Sequence, residues 1–148
     1  MISSLLSREI NKITNVLWIP SDDKNFEKFF RTLEVSVFTL DQIYIGSLVP
    51  DIIISNDKAK HIDKIIKLTK YHQCPIIFID HEEKSDMIDI SKFQQKIAEL
   101  PIVKFVAFSE SIKNSWENTH DLVLNDNSDK DEWQQLINQT KKIIYKYE

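Results

Sequence analysis

Residues 74–81 read Cys-Pro-Ile-Ile-Phe-Ile-Asp-His, and residues 50–55 read Pro-Asp-Ile-Ile-Ile-Ser. Neither stretch alternates apolar with polar side chains, as a strand with one wet face would. A continuous run of isoleucine and phenylalanine, opened by proline and closed by a polar residue, suits a strand covered on both faces. That is the situation inside a parallel sheet held between helix layers. Proline also biases the residue before it away from helix, which marks the way into each strand, and Pro101 does the same further on. Shorter β-rich apolar runs occur at 16–20, 35–39, 104–108 and 121–124.

Between these runs the period changes. Residues 25–33 place Phe26, Phe29, Phe30 and Leu33 at i, i+3, i+4 and i+7, the apolar face of a helix turned towards a core. Residues 58–71 repeat the pattern with Ile62, Ile65, Ile66 and Leu68, and Lys58, Lys60, Lys64, Lys67 and Lys70 read as its solvated side. Two shorter helices are predicted over 91–100 and 109–116. A last one runs over 132–145, within a C-terminal helical segment 129–148. Ser21 or Asp22 is suited to cap the first helix and Ser109 the one containing Ile112, while Asn127, Ser128 and Asp129 form a polar break before the last. The residues ahead of the first strand, 1–14, predict a short docking helix from Ser3 to Ile13. Strand–helix alternation with short connections and no internal repeat predicts one domain over 1–148. Its class is a Rossmann-like three-layer α/β sandwich, an open, doubly wound, mostly parallel sheet of five to six strands with helices on both faces.

Composition narrows the function. The chain has 148 residues, 42% hydrophobic and 28% charged, enough for one real core and too few for two. Its net charge of −4, with both signs mixed along the chain, argues against a nucleic-acid binder, which concentrates lysine and arginine on one face. The single cysteine, Cys74, forms no internal disulfide and fits a packed position in a reducing, cytoplasmic compartment. No apolar run approaches the roughly 20 residues that span a bilayer, and the first twelve residues lack a signal-peptide layout. Gly46 is the only glycine, so neither G-x-G-x-x-G nor a P-loop can be written, and no cofactor is expected. Seventeen lysines against two arginines, with many isoleucines and asparagines, suit an A/T-rich coding sequence. Such a sequence fits a low-G+C bacterium, a phage or another virus; a viral chain would work in the host cytoplasm or the virion.

Open parallel sheets bind ligands beyond the carboxyl ends of their strands. The residues following each run there are polar and acidic, and they supply the ligand-binding candidates Ser21, Asp22, Asn56, His81, Ser109 and Glu110. Asp22, Asp23 and Asp80 are the candidate carboxylates for a hard divalent cation, although the same residue types cap helices and tighten turns. His81 beside Asp80 is the candidate general base, but neighbours on a strand point to opposite faces and no serine or cysteine nucleophile accompanies them. His61, His72 and His120 share no zinc-like spacing with Cys74. Trp116 and Trp133, near the end of the chain, are the candidate partner-binding residues, because tryptophan is enriched among interface anchors; the alternative is that they are core.

The segments from 15 to about 133 resemble the N-terminal half of glycosyltransferases of the type-B fold. The resemblance is carried by Pro50-Asp51-Ile52-Ile53-Ile54, by residues 74–81, and by Lys104-Phe105-Val106-Ala107-Phe108-Ser109-Glu110-Ser111-Ile112-Lys113. In that family a strand ending in a Ser-Glu pair opens a helix, and the next strand leads to an Asn-rich turn, the place of Leu122-Val123-Leu124-Asn125-Asp126-Asn127 here. Where the family carries a glycine-rich loop after its first strand, this chain reads Pro20-Ser21-Asp22-Asp23, and the family's donor nucleotide sits mainly on a second domain. The resemblance implies a fold and an acceptor-side surface, with a sugar or nucleotide sugar bound only alongside a partner domain. The chain is also similar to response-regulator receiver domains. Asp22 and Asp23 follow the first strand as the acidic pair does there, and residues 50–55 stand for the third strand. The phosphoacceptor position then falls on Asn56, whose amide forms no acyl phosphate, so a pseudo-receiver is implied.

The expectation from these readings is a non-catalytic binding or structural protein acting through protein–protein contacts, with a protein partner or a second copy. The alternatives are the acceptor-side subunit of a split glycosyltransferase, which is the form in which it would be an enzyme, and a pseudo-receiver signalling module.

Overall fold

The computed structural model describes residues 13–20, 25–40, 49–58, 60–86, 88–100, 102–117, 119–125 and 129–141. In chain order these form β1 (Thr14–Ile19), α1 (Asn25–Phe30), β2 (Val35–Phe38), β3 (Ile52–Ser55) and α2 (Ile62–His72). There follow β4 (Ile76–Asp80), α3 (Ile90–Ile97), β5 (Val103–Ala107), α4 (Glu110–Ser115), β6 (Leu122–Val123) and α5 (Lys130–Thr140). The six strands make one sheet in the order β2-β1-β3-β4-β5-β6, with every neighbouring pair parallel. The expected Rossmann-like sandwich is therefore present, and all of its described strands run the same way.

The two continuous apolar runs sit where their composition predicts, in the middle of the sheet. Val16, Trp18, Ile52, Ile54, Ile77, Ile79 and Val106 point to one face, against Phe30 and Leu33 and against Trp133, Leu136 and Ile137 of α5. Leu17, Ile19, Ile53, Ile76 and Phe78 point to the other, against Ile62 and Ile65 of α2 and Phe93 and Ile97 of α3. Each isoleucine of β3 is 0% exposed. Burial of one such side chain is worth about 1.5–3 kcal/mol, which explains the preference for unbroken apolar runs over alternation.

Element ends depart from the sequence reading for local reasons. The helix expected over 58–71 begins at Ile62, because the Asp57 carboxylate accepts the backbone N–H groups of Lys60 (2.9 Å) and His61 (3.2 Å) and holds 57–61 as a turn. Lys58 is thereby left in the loop. The helix expected over 25–33 ends at Phe30, where the Thr32 hydroxyl donates to the Phe29 carbonyl and Leu33 N–H to Phe30. Helix α2 ends on Gln73 in the left-handed region (φ 51°), a place where glycine is usual and this nearly glycine-free chain has none. The docking helix over Ser3–Ile13, the Phe26 side chain, the break at Asn127 and Ser128, the lone Gly46, and the end of the C-terminal helix beyond 141 lie outside the described residues.

The order of the strands locates the crevice. Strand β1 pairs with β2 on one side and β3 on the other, so the winding reverses there. Ligand crevices of doubly wound sheets open at that reversal, beyond the carboxyl ends of β1 and β3.

Candidate functional site

Working along the carboxyl rim from the reversal point, the first polar group is Ser55, the last residue of β3. Its hydroxyl donates to the Ile19 carbonyl (2.7 Å) and accepts from Asp57 N–H (3.0 Å), tying the loop after β3 back onto β1. Asp57 is buried and also lies 2.5 Å from Nδ1 of His61. Asn56 between them is half-buried. These side chains brace the turn that carries Lys58 inwards.

Lys58 is the centre of the site. On the face that carries Phe78, the apolar layer of β4 stops one step later at Asp80, and the Lys58 ammonium lies 2.5 Å from Oδ2 of that carboxylate. Nε2 of His120, from the loop before β6, lies 2.6 Å from the same oxygen. Side-chain exposure is 4% for Lys58, 6% for Asp80 and 0% for His120, so the three form one closed charged cluster. Aromatic rings complete the enclosure. The Lys58 nitrogen is 4.0 Å from the ring centre of Trp116, 5.2 Å from Phe93 and 5.5 Å from Phe105. Ring faces attract a cation, and with the carboxylate they partly replace its lost water.

Each wall has its own anchor. Trp116, at the end of α4, donates its indole N–H to the Glu82 carbonyl (3.1 Å), and Lys84 N–H donates to the Ser115 hydroxyl (3.0 Å). The loop after β4 is thus strapped to α4. The loop bearing His120 is held by Asp121, whose N–H donates to the Phe105 carbonyl and whose carboxylate accepts Phe105 N–H (2.9 Å). With Nε2 donating to Asp80, Nδ1 of His120 is buried without a hydrogen-bond partner among the described residues. Burial pushes the Lys58 ammonium below its ordinary value of 10.5, against the opposing pull of Asp80.

The described space beside this cluster is small. The pocket bounded by Lys58, Phe93, Phe105, Trp116 and Thr119 measures about 10 Å³, the room of a single water. Sites for small molecules occupy roughly 300–1,000 Å³.

The sequence-derived candidates fare differently. Asp80 is central, but its imidazole partner is His120, forty residues on, and not His81. His81 lies towards the opposite face, its ring 6.5 Å from Phe108 and its Nε2 3.4 Å from the exposed Glu82 carboxylate. The adjacent His81–Asp80 dyad is not assembled, because consecutive strand positions diverge. Ser109 caps α4 by accepting Ile112 N–H (3.2 Å), and Glu110 is an exposed first-turn residue of the same helix. Ser21, Asp22 and Asp23 lie outside the described residues. Among the described residues no group of three or more His, Cys, Asp or Glu could hold a metal ion, and Asp80 is engaged by two nitrogens. Trp116 is 6% exposed and Trp133 0%, the latter packed among Phe29, Phe30 and Phe108, so both indoles are core and neither is presented at the surface. Lys58 and His120 were missed as site residues. The available signal was Asp80 itself, a carboxylate closing an otherwise apolar buried strand, which demands cationic partners.

No helix among the described residues is long and apolar enough to cross a membrane. No family model, curated protein or solved structure matches the chain.

Proposed function

We propose that this chain is a non-catalytic binding or structural protein that uses a Rossmann-like sandwich as a scaffold and acts through protein–protein contacts. The observation that supports this most is the closure of the described strand-end rim. Lys58, Asp80 and His120 neutralise and cap one another at 6% exposure or less, beside a space of about 10 Å³. A catalytic lysine, carboxylate or histidine has to reach substrate; these three reach each other. A doubly wound sheet confers no activity of its own, so the function rests on the surfaces the scaffold holds in place.

The test is the native mass of the protein taken from its own source without overexpression. A defined assembly containing another protein is the expected result. A 17.5 kDa monomer that is stabilised by sugars, nucleotides or sugar nucleotides would overturn the proposal.

A pseudo-receiver is the second reading, favoured by one observation. The first five strands follow the order β2-β1-β3-β4-β5, which receiver domains share with flavodoxin, and Asn56 directly follows β3. This reading predicts binding without phosphorylation. Any phosphoryl transfer to the chain from acetyl phosphate would exclude the assignment of Asn56.

A further inference from the structure

Strand β6 ends the sheet. It pairs with β5 alone, and its two residues, Leu122 and Val123, include none of the lysines or prolines that commonly blunt an edge. On the face that α1 and α5 cover, this edge is left open. Along β5, Val103 and Phe105 pack with the opposite cluster, so Ile102 and Lys104 alternate to the α5 side, and Leu122 stands beside Val106 on that same side. Val106 and Leu124 are buried there, but Ile102 stays 47% exposed and Leu122 39%. These two apolar residues share one groove of about 440 Å³, walled on its other side by Leu136 and Gln139 of α5. The groove also holds one base, Lys104, and one acid, Asp121, both exposed. Lys104 forms no ion pair among the described residues. Asp121 accepts Phe105 N–H through Oδ2 and has no cationic partner there either.

We propose that a second copy of this chain occupies the groove in a two-fold contact. Ile102 and Leu122 of each copy pack on those of the other, and Lys104 of each copy faces Asp121 of the other. A two-fold contact buries the same patch on both copies, so the patch has to complement itself. This one does. Its apolar residues meet apolar residues, and its single base and single acid exchange partners across the axis and leave no net charge. A partner recognised by charge would call instead for a patch of one sign. The position at the end of the sheet adds to the case, because β6 brings its unpaired side to the contact. One groove per copy makes a small interface, so association on the order of micromolar is expected. The inference deepens the function proposed above by naming one of the contacts the scaffold makes.

Sedimentation equilibrium of the purified full-length chain, loaded over roughly 1–500 μM, tests it. The mass should climb with concentration from 17.5 kDa towards twice that value and stop there. Leu122→Asp and Lys104→Glu should each weaken the association about tenfold or more, while Lys104→Arg keeps it within about twofold of wild type. A mass fixed at 17.5 kDa at every concentration would overturn the proposal. So would a mass that passes two copies, because a two-fold contact closes at two, or a dimer that both variants leave equally strong, because the contact would then lie elsewhere. Should Leu122→Asp fail to fold, Lys104→Glu against Lys104→Arg decides. A chain that stays monomeric here removes the dimer alone; contact with other proteins stands or falls on the native mass of the protein from its own source.

Discussion

At the scale of single residues, Lys58, Asp80 and His120 are buried together as one electrostatic unit. Removing one member of a buried charged set exposes the desolvation cost of what remains. Asp80→Ala should therefore destabilise the protein by about 3–5 kcal/mol in urea titrations, since it leaves a caged ammonium with aromatic faces alone. Lys58→Met should also destabilise, because it leaves the buried Asp80 carboxylate with His120 alone, and the double variant Lys58→Met, Asp80→Ala should cost less than the sum of the two single changes. The pH dependence has a definite sign. Burial lowers the folded value of Lys58 below 10.5, so in the window beneath that value the unfolded chain binds more protons than the folded one. The Lys58 contribution to stability then rises with pH through the window. Urea midpoints of wild type should accordingly gain on those of Lys58→Met as pH is raised from neutral towards 10.5. A gap that stays constant would mean the ammonium is not desolvated. Little of this cluster was legible in the sequence. Lys58 has the spacing of a lysine-studded helix face, and only the turn that Asp57 braces removes it from that helix. His120 sits forty residues from its partner in a loop without periodicity, and long-range pairing of that kind leaves no local trace.

At the scale of elements, hydrophobic pattern did most of the work. The runs at β3 and β4 have no polar interruption because helices cover both of their faces, and β1, β2, β5 and β6 each fall within about two residues of their expected places. The spacing Trp133, Leu136, Ile137 fixed the inward side of α5, and Trp133→Ala should cost about 3–5 kcal/mol through loss of its packing on Phe29, Phe30 and Phe108. A change in partner binding with no loss of stability would mean that the indole acts at a surface. Helix ends were less legible, since they depend on which hydroxyl or carboxylate wins the first free N–H groups. The end of α2 shows the effect of having so little glycine. Gln73 occupies a left-handed conformation that costs an L-residue about 1–2 kcal/mol, partly offset for glycine by its greater chain entropy. Gln73→Gly should raise the thermal midpoint, by the equivalent of up to about 1 kcal/mol.

At the scale of the whole molecule, the described part of the strand-end rim is closed at β4 and β5 by Lys58, Asp80 and His120, and that closure supports the proposed role. Fold class followed from the sequence because it depends on period and strand–helix order, which one chain displays openly. Function did not, because it depends on which side chains meet across the sheet; the candidates placed next to each other in sequence, Asp80 and His81, part to opposite faces. What matters most is that the described rim at Lys58, Asp80 and His120 is a closed lock and not an open catalytic pocket. The most direct test is the reactivity of each lysine towards acetic anhydride in the native full-length protein, read peptide by peptide. An enclosed Lys58 should be modified far more slowly than the exposed lysines on α2, and as readily as they are once the chain is unfolded in urea. A Lys58 that reacts in the folded protein as fast as surface lysines, or faster, would contradict the account, since an accessible ammonium below its ordinary range is the mark of a working nucleophile.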